Sequence, residues 1–192
     1  MRIAGTTVLV LATLIAGPAQ ADCLEDIKTI LASSLTSGPY AMDMTSEAGG
    51  IAITAEVVPP NAMHSKTVMA DATSEVTVLD GHAWMNMGSG WTALPDSTAD
   101  AMMAGFTAAE AMLDSVTAEE CLGTQTVDGR DLLAFRYDIT MTTVLTKSTM
   151  YADPASRLPV ILETQSEVGG KSTDTRAVYR YDPTIKVVAP TP

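Results

Sequence analysis

From Tyr40 to Leu94, and again from Leu122 to Tyr181, the chain keeps one rhythm: short runs in which apolar and polar residues alternate, broken by very short turn signals. The breaks are Gly49-Gly50, Asp80-Gly81, the Gly88-Ser89-Gly90 stretch, Asp128-Gly129 and Gly169-Gly170. Alternation with period two is the mark of a strand with one buried face. A connection of two or three residues can only join antiparallel neighbours, because a parallel crossover needs about a dozen residues or more. This chain must therefore build antiparallel meanders, and a βαβ layout is excluded over these stretches.

The strands read off directly. "YAMDMTSE" sets Tyr40, Met42 and Met44 against Asp43, Thr45 and Glu47, and "IAITAEVV" puts Ile51, Ile53, Ala55 and Val57 on one face. Pro59-Pro60 stops that run, and "MHSKTVMA" (63–70), "SEVTVLD" (74–80), "HAWMNM" and "WTAL" complete a first meander of five or six strands. A second follows: "LGTQTV", "RDLLAFRYDITMTTV", "TKSTMYAD", "PASRLPVILETQSEV" and "STDTRAVYRYDP". Leu133, Phe135, Tyr137, Ile139 and Met141 share a face in its second arm.

Two stretches have helical spacing instead. "LEDIKTILASSL" (24–35) repeats Leu24, Ile27, Ile30, Leu31 and Leu35, with Asp22 as N-cap. "DSTADAMMAGFTAAEAMLDSV" carries the stripe Met102, Phe106, Ala109, Leu113 and Val116, with Asp96 or Ser97 as cap and Met103 and Met112 beside it. The layout is helix, meander, helix, meander. A sheet with one apolar face must cover it, and two helices are what the chain offers. The expected fold is α+β: a strongly curved antiparallel sheet wrapped over the helices.

The ends and the cysteines point to a compartment. "MRIAGTTVLVLATLIAGPAQA" has a basic start, an apolar run from Val8 to Ala16 and an Ala19-Gln20-Ala21 cleavage site, which reads as a secretory signal over residues 1–21. Its apolar run is short of the ~20 residues that span a bilayer. Gln20-Ala21-Asp22 before Cys23 is not a lipidation context. The expectation is a single mature domain over 22–192, exported, soluble and periplasmic. Removing Arg2 with the leader takes the net charge from −12 to about −13. That acidity argues against nucleic acid and anionic membrane as partners. Cys23 and Cys121 are the only cysteines, and in an exported chain such a pair reads as a disulfide.

Nothing in the sequence places catalytic groups. His64 and His82 are the only imidazoles, with no HxxxH, HExxH or nearby thiol, so neither metal nor cofactor is expected. Gly88-Ser89-Gly90 lacks the spacing of a nucleophile elbow. Asp80 and His82 could come near each other, but no serine partner is specified. Glu119 and Glu120 are adjacent and would point apart on a helix. A non-enzymatic protein is the expectation.

Turn signatures then bring in a family. "VVPPNAMH", "VLDGHAWMNMGSGWTALP", "GRDLLAFRYDI", "YADPASRLPVILET" and "YRYDPTIKVVAP" resemble the bacterial outer-membrane lipoprotein carriers and their relatives, the LolA/LolB-like superfamily, which includes mycobacterial lipid-binding lipoproteins. The resemblance spans nearly everything from Cys23 onward. It implies a half-barrel of about ten or eleven strands with helices over the concave face, and a concavity that holds acyl chains. It also implies a departure: the carrier's lid arginine, in the first half, has no match, because only Lys66 lies between Lys28 and Arg130. The function expected is a carrier for an acyl-bearing or otherwise lipophilic ligand. The alternative is an envelope protein-interaction or sensor module on the same fold. Candidate cavity residues are Met42, Met44, Ile51, Ile53, Met85, Met87, Trp91, Met102, Phe106, Leu113, Phe135 and Tyr137. Methionine suits irregular apolar ligands, and it equally fills a curved core.

The Trp84–Trp91 hairpin turns on loop parity. A three-residue loop, Gly88 to Gly90, pairs Met87 with Trp91 and splits the tryptophans between faces; an even loop puts them on the same face. The glycine ending the three-residue turn favours the odd loop and one inward tryptophan.

Overall fold

The computed structural model describes residues 21–46, 50–141, 144–168 and 170–191, so the leader expected at 1–21 lies outside them save for its last residue. In chain order the elements are α1 (Ala21–Thr36), β1 (Tyr40–Ser46), β2 (Ile51–Val58), β3 (Ala62–Met69), β4 (Ala72–Leu79), β5 (His82–Asn86), β6 (Trp91–Leu94), α2 (Asp96–Leu113), β7 (Val116–Val127), β8 (Arg130–Met141), β9 (Val144–Ala152), β10 (Pro159–Val168) and β11 (Lys171–Tyr181).

All eleven strands form one sheet in the order β6-β5-β4-β3-β2-β1-β11-β10-β9-β8-β7, and every pair is antiparallel. The two meanders meet where β1 pairs with β11, Tyr40 opposite Tyr181 and Ser46 opposite Thr175. β6 and β7 are the free edges, so the sheet is an open half-barrel. Both edges resist further pairing. β6 is only four residues long. β7 is kinked by two register shifts, beside Ala118 and Gly123, both at positive φ. The Asp-Gly turns form as the sequence predicts: Asp80 and Gly81, and again Asp128 and Gly129, are all left-handed, the conformation of a two-residue hairpin.

Each helix covers one meander. Along α1, Cys23, Ile27 and Ile30 recur at helical spacing and pack on Val116, Phe135, Tyr137, Met150 and Ala152 of β7, β8 and β9. The Cys23–Cys121 disulfide, Cα atoms 5.6 Å apart, ties the start of α1 to edge strand β7. Arg157 Nη2 donates to Asp26 Oδ1 at 2.6 Å and ties the same helix to the β9–β10 turn. Along α2, Ala99, Met102 and Met103 pack on Val78 and Ala83 of β4 and β5, with Met63, Val76 and Leu94 around them.

Two helices cannot cover this sheet. Eleven strands at ~4.8 Å spacing span an arc of roughly 48 Å, whereas each helix is about 10–12 Å wide. The strands that contribute no residue to either helix-covered core are β2, β1 and β11, in the middle of the sheet, because α1 packs over β7 to β10 and α2 over β3 to β6.

Three local expectations change. The helix is described from Ala21, so Asp22 lies inside it rather than capping it. α2 ends at Leu113, and Val116, expected as the last residue of its stripe, opens β7 instead. Glu119 and Glu120 accordingly stand on a strand, where Glu120 accepts a 2.8 Å hydrogen bond from Arg136.

Candidate functional site

The uncovered middle of the sheet encloses a cavity of about 550 Å³. Its size falls within the range of small-molecule sites. Strand parity decides which residues face it. Tyr40 and Met42 come from β1, Ile53, Ala55 and Val57 from β2, and Tyr179 and Tyr181 from β11. β3 adds Met63, Ser65 and Thr67, while Leu31 and Leu35 of α1 and Leu113 of α2 close the helical side. The far wall is Tyr137 and Ile139 of β8, Met150 of β9 and Leu162 of β10. Most of this surface is carbon.

Two features give the wall a chemistry. The first is a tyrosine cluster: the Tyr40 ring lies 5.8 Å from Tyr181 and 6.0 Å from Tyr179, both tilted. Burial pushes the Tyr179 phenol up to about 12, and its neighbour Tyr40 adds to the shift. Burial likewise raises Tyr40, Tyr137 and Tyr181, so all four stay neutral at ordinary pH. The second is hydroxyl pairing. Thr164 Oγ1 and Thr175 Oγ1 are 2.6 Å apart, Thr146 Oγ1 and Ser166 Oγ 2.9 Å, and Tyr137 shares a hydrogen bond with Ser148. Among the described residues no lysine, arginine, histidine, aspartate or glutamate lines the cavity.

Of the twelve residues expected there, Met42, Ile53, Leu113 and Tyr137 line it. Met44 pairs with Ile53 and shares its face but stands outside the lining, as does Ile51 one pair further along. Met85 shares the concave side with Val76 and Ala83, at the far end of the sheet. Met102 packs into the α2 core and Phe135 into the α1 core, where helices already cover the sheet. The Phe106 side chain lies outside the described residues. Met87 sits at a hairpin tip and is 72% exposed. Missed by the sequence reading were Met63, Met150 and the tyrosines of β1 and β11. Tyr179 and Tyr181 share parity in "AVYRY", but only the β1–β11 pairing brings them beside Tyr40.

Trp91 is a correction. Asn86 pairs with Trp91 and Trp84 with Ala93, so the loop is the four residues Met87 to Gly90. The Asn86 side chain closes it: Oδ1 accepts from Gly88 N at 2.8 Å and from Gly90 N at 3.2 Å. An asparagine that satisfies loop amides selects the longer loop. Both tryptophans thus share a face, and it is the outer one, since Ala83 and Leu94 of the same strands pack against α2. There Trp91 lies 6.2 Å from His64 and Trp84 lies 6.1 Å from His82. His64 Nδ1 is 3.0 Å from Thr77 Oγ1, His82 Nδ1 is 3.1 Å from Asp96 Oδ1, and Asp80 accepts from Asn61 instead. Hydroxyl and carboxylate partners therefore fall on different histidines, which is no catalytic relay. Among the described residues no cluster of three or more His, Cys, Asp or Glu is grouped to hold a metal.

A second depression, on the outer face of β8 to β11, is polar, and its arginines are already engaged. Arg136 meets Glu120, and Arg176 Nη2 donates to Asp128 at 2.6 Å while its Nε makes a 3.3 Å ion contact with Glu163.

No family model matches the chain, and no curated protein matches it in sequence. Solved structures do match. The lipoprotein LppX of Mycobacterium tuberculosis superposes with a TM-score of 0.63 over 88% of this chain and 100% of LppX, at 16% identity. LprF of Mycobacterium bovis gives 0.60 over 88% and 98%, at 10% identity. At such identities the likeness is one of architecture. No described helix is long and apolar enough to cross a membrane. The chain shares the fold of LppX and LprF, an open half-barrel with helices on its concave side.

Proposed function

We propose that this chain is a non-enzymatic carrier that holds an acyl-bearing or otherwise lipophilic ligand in the cavity beneath the open middle of its sheet. One observation carries the reading: a continuous, carbon-lined volume of about 550 Å³ that the two helices leave unfilled. A protein that needed the sheet only as scaffold would gain stability by filling it. The disulfide and the fold shared with the lipoprotein LppX fit an exported protein. The leader-like 1–21 segment supports processing after Ala21 and release into the periplasm. The test is native mass spectrometry and organic extraction of protein purified without detergent. Co-purifying or added lipid held at one or a few copies supports the proposal; protein that never retains lipid under any loading condition defeats it.

A second reading draws on the outer aromatic pairs, His64–Trp91 and His82–Trp84, as a protein-contact face. It expects Trp91→Ala to abolish an envelope partner's binding while lipid retention is unchanged.

A further inference from the structure

The concave wall of β1 and β8 to β11 changes chemistry between one register level and the next. At one level, paired residue by residue across the sheet, stand Met44, Ala177, Leu162, Met150 and Phe135, all apolar. At the next stand Ser46, Thr175, Thr164, Ser148 and Tyr137, a hydroxyl on every one of five adjacent strands. One level further, Thr173, Ser166 and Thr146 repeat the pattern on three of them. Strand parity alone asks only for inward-facing residues, and a purely structural core would make them carbon. Thr146 and Thr164 open onto the cavity and Ser65 and Thr67 of β3 line it too, while Ser148 stands in the wall almost wholly buried and bonded to Tyr137.

We propose, building on the carrier reading, that the ligand is an acyl ester with an uncharged, oxygen-rich head group, its ester and hydroxyl oxygens seated on this hydroxyl row and its chains running toward Met42 and the tyrosine cluster. Each serine or threonine hydroxyl supplies one donor and two acceptor positions. A pair such as Thr164–Thr175 therefore keeps bonding capacity for a guest after its own 2.6 Å bond is made. Hydroxyls can replace the water lost by an ester, a glycerol hydroxyl or a sugar. They cannot neutralise a carboxylate or a phosphodiester, and a charge taken out of water without a counter-charge is strongly disfavoured. No cation lines the cavity among the described residues, and the phenols there are held neutral. The formal charge of −12 on the chain adds a repulsive field against anionic lipids.

The experiment is displacement of an NBD-labelled diacylglycerol from the purified protein by four competitors of matched acyl length: dioleoylglycerol, a glucosyl dioleoylglycerol, dioleoyl phosphatidylglycerol and oleate. The two uncharged esters are expected to compete at concentrations at least about ten-fold lower than the two anions. Equal or better competition by phosphatidylglycerol or oleate overturns the inference and leaves the carrier reading standing. If neither probe nor competitor binds, both fall. The pair of substitutions Thr146→Val and Thr164→Val, which exchange hydroxyl for methyl at constant shape, should weaken dioleoylglycerol about ten-fold and leave a pure hydrocarbon such as squalene unaffected. Thr164→Ser, which keeps the hydroxyl, should bind as the parent does. Unchanged dioleoylglycerol binding by the valine variant removes the row from the site. Should the pair not fold, Thr146→Val alone gives the same readout.

Discussion

Ala55 is the sharpest place to test whether the cavity is where a ligand sits. It stands in the middle of β2, paired with Met42 on one side and Ser65 on the other, and its side chain faces the cavity floor. Ala55→Trp projects an indole into space that the native fold leaves open. Tryptophan is well suited to a strand. Ala55 is itself only 6% exposed, so the indole must pass its neighbours to reach the open volume, and a cost within the ~1–3 kcal/mol typical of overpacking is expected. The fold should survive with a modestly lowered melting temperature. Binding should collapse. An indole occupies the room of a chain segment of about five methylenes, each contributing ~0.8 kcal/mol when buried, so a bound acyl chain loses about 4 kcal/mol. That is close to a thousand-fold in affinity. Lipid retention by native mass spectrometry and displacement of a labelled acylglycerol both read it. Val178→Trp is the control: it lies on β11, two strands from β2, faces outward and is 37% exposed. If Ala55→Trp folds and still holds lipid with parental affinity, the ligand is not in this cavity and the reasoning fails.

Other outcomes follow from the same geometry. Removing the Cys23–Cys121 bridge by a double Cys→Ala exchange frees a loop of 98 residues and should cost up to about 4–5 kcal/mol in chain entropy, read as a lower denaturation midpoint; an unchanged midpoint contradicts it. Alkaline pH should destabilise the fold. Tyr179 is raised from 10.0 to about 12, and Tyr137 and Tyr181 are raised as well. A raised folded-state value means that the stabilisation is complete below pH 10 and is lost as pH climbs through 12. The slope is at most about 1.4 kcal/mol per pH unit for each tyrosine. Denaturant titrations at pH 9, 10.5 and 11.5 measure this, and Tyr179→Phe should flatten the fall. Finally, acyl chains brominated near the terminal methyl should leave native tryptophan fluorescence nearly unquenched, since Trp84 and Trp91 both face outward. A tryptophan placed in the cavity by Ala55→Trp is quenched by whatever chain still binds, and strong quenching of the parent protein would mean that the hairpin faces inward after all.

How much of this was legible beforehand depends on the range of the interaction involved. The Asp-Gly turns, the alternating faces and the α1 stripe are local, and the residues that encode them are neighbours in the chain. The Trp84–Trp91 hairpin misled because its parity depends on one side-chain acceptor, Asn86, competing with glycine as the organiser of the loop. Met102 and Phe135 face inward but pack in the helix-covered cores and line no part of the cavity, whereas Tyr137 and Met150 belong to the α1 core and line the cavity as well, so an inward position does not by itself say which it will be. Periodicity separates inward from outward and has no access to the split between core and cavity.

The sequence by itself determined that the chain builds antiparallel meanders with one apolar face, interrupted by helices that must cover that face. Period-two alternation and two-residue turns admit no other arrangement. Tertiary structure decided where the cover stops. The pairing of β1 with β11 joins the two meanders into a sheet about twice as wide as two helices can span. The disulfide and the apolar packing hold α1 over β7 to β10, α2 packs over β3 to β6, and the two helices touch each other. The cavity, its tyrosine cluster and its hydroxyl row lie in the gap that this leaves, assembled from strands as far apart in the chain as β1 and β11.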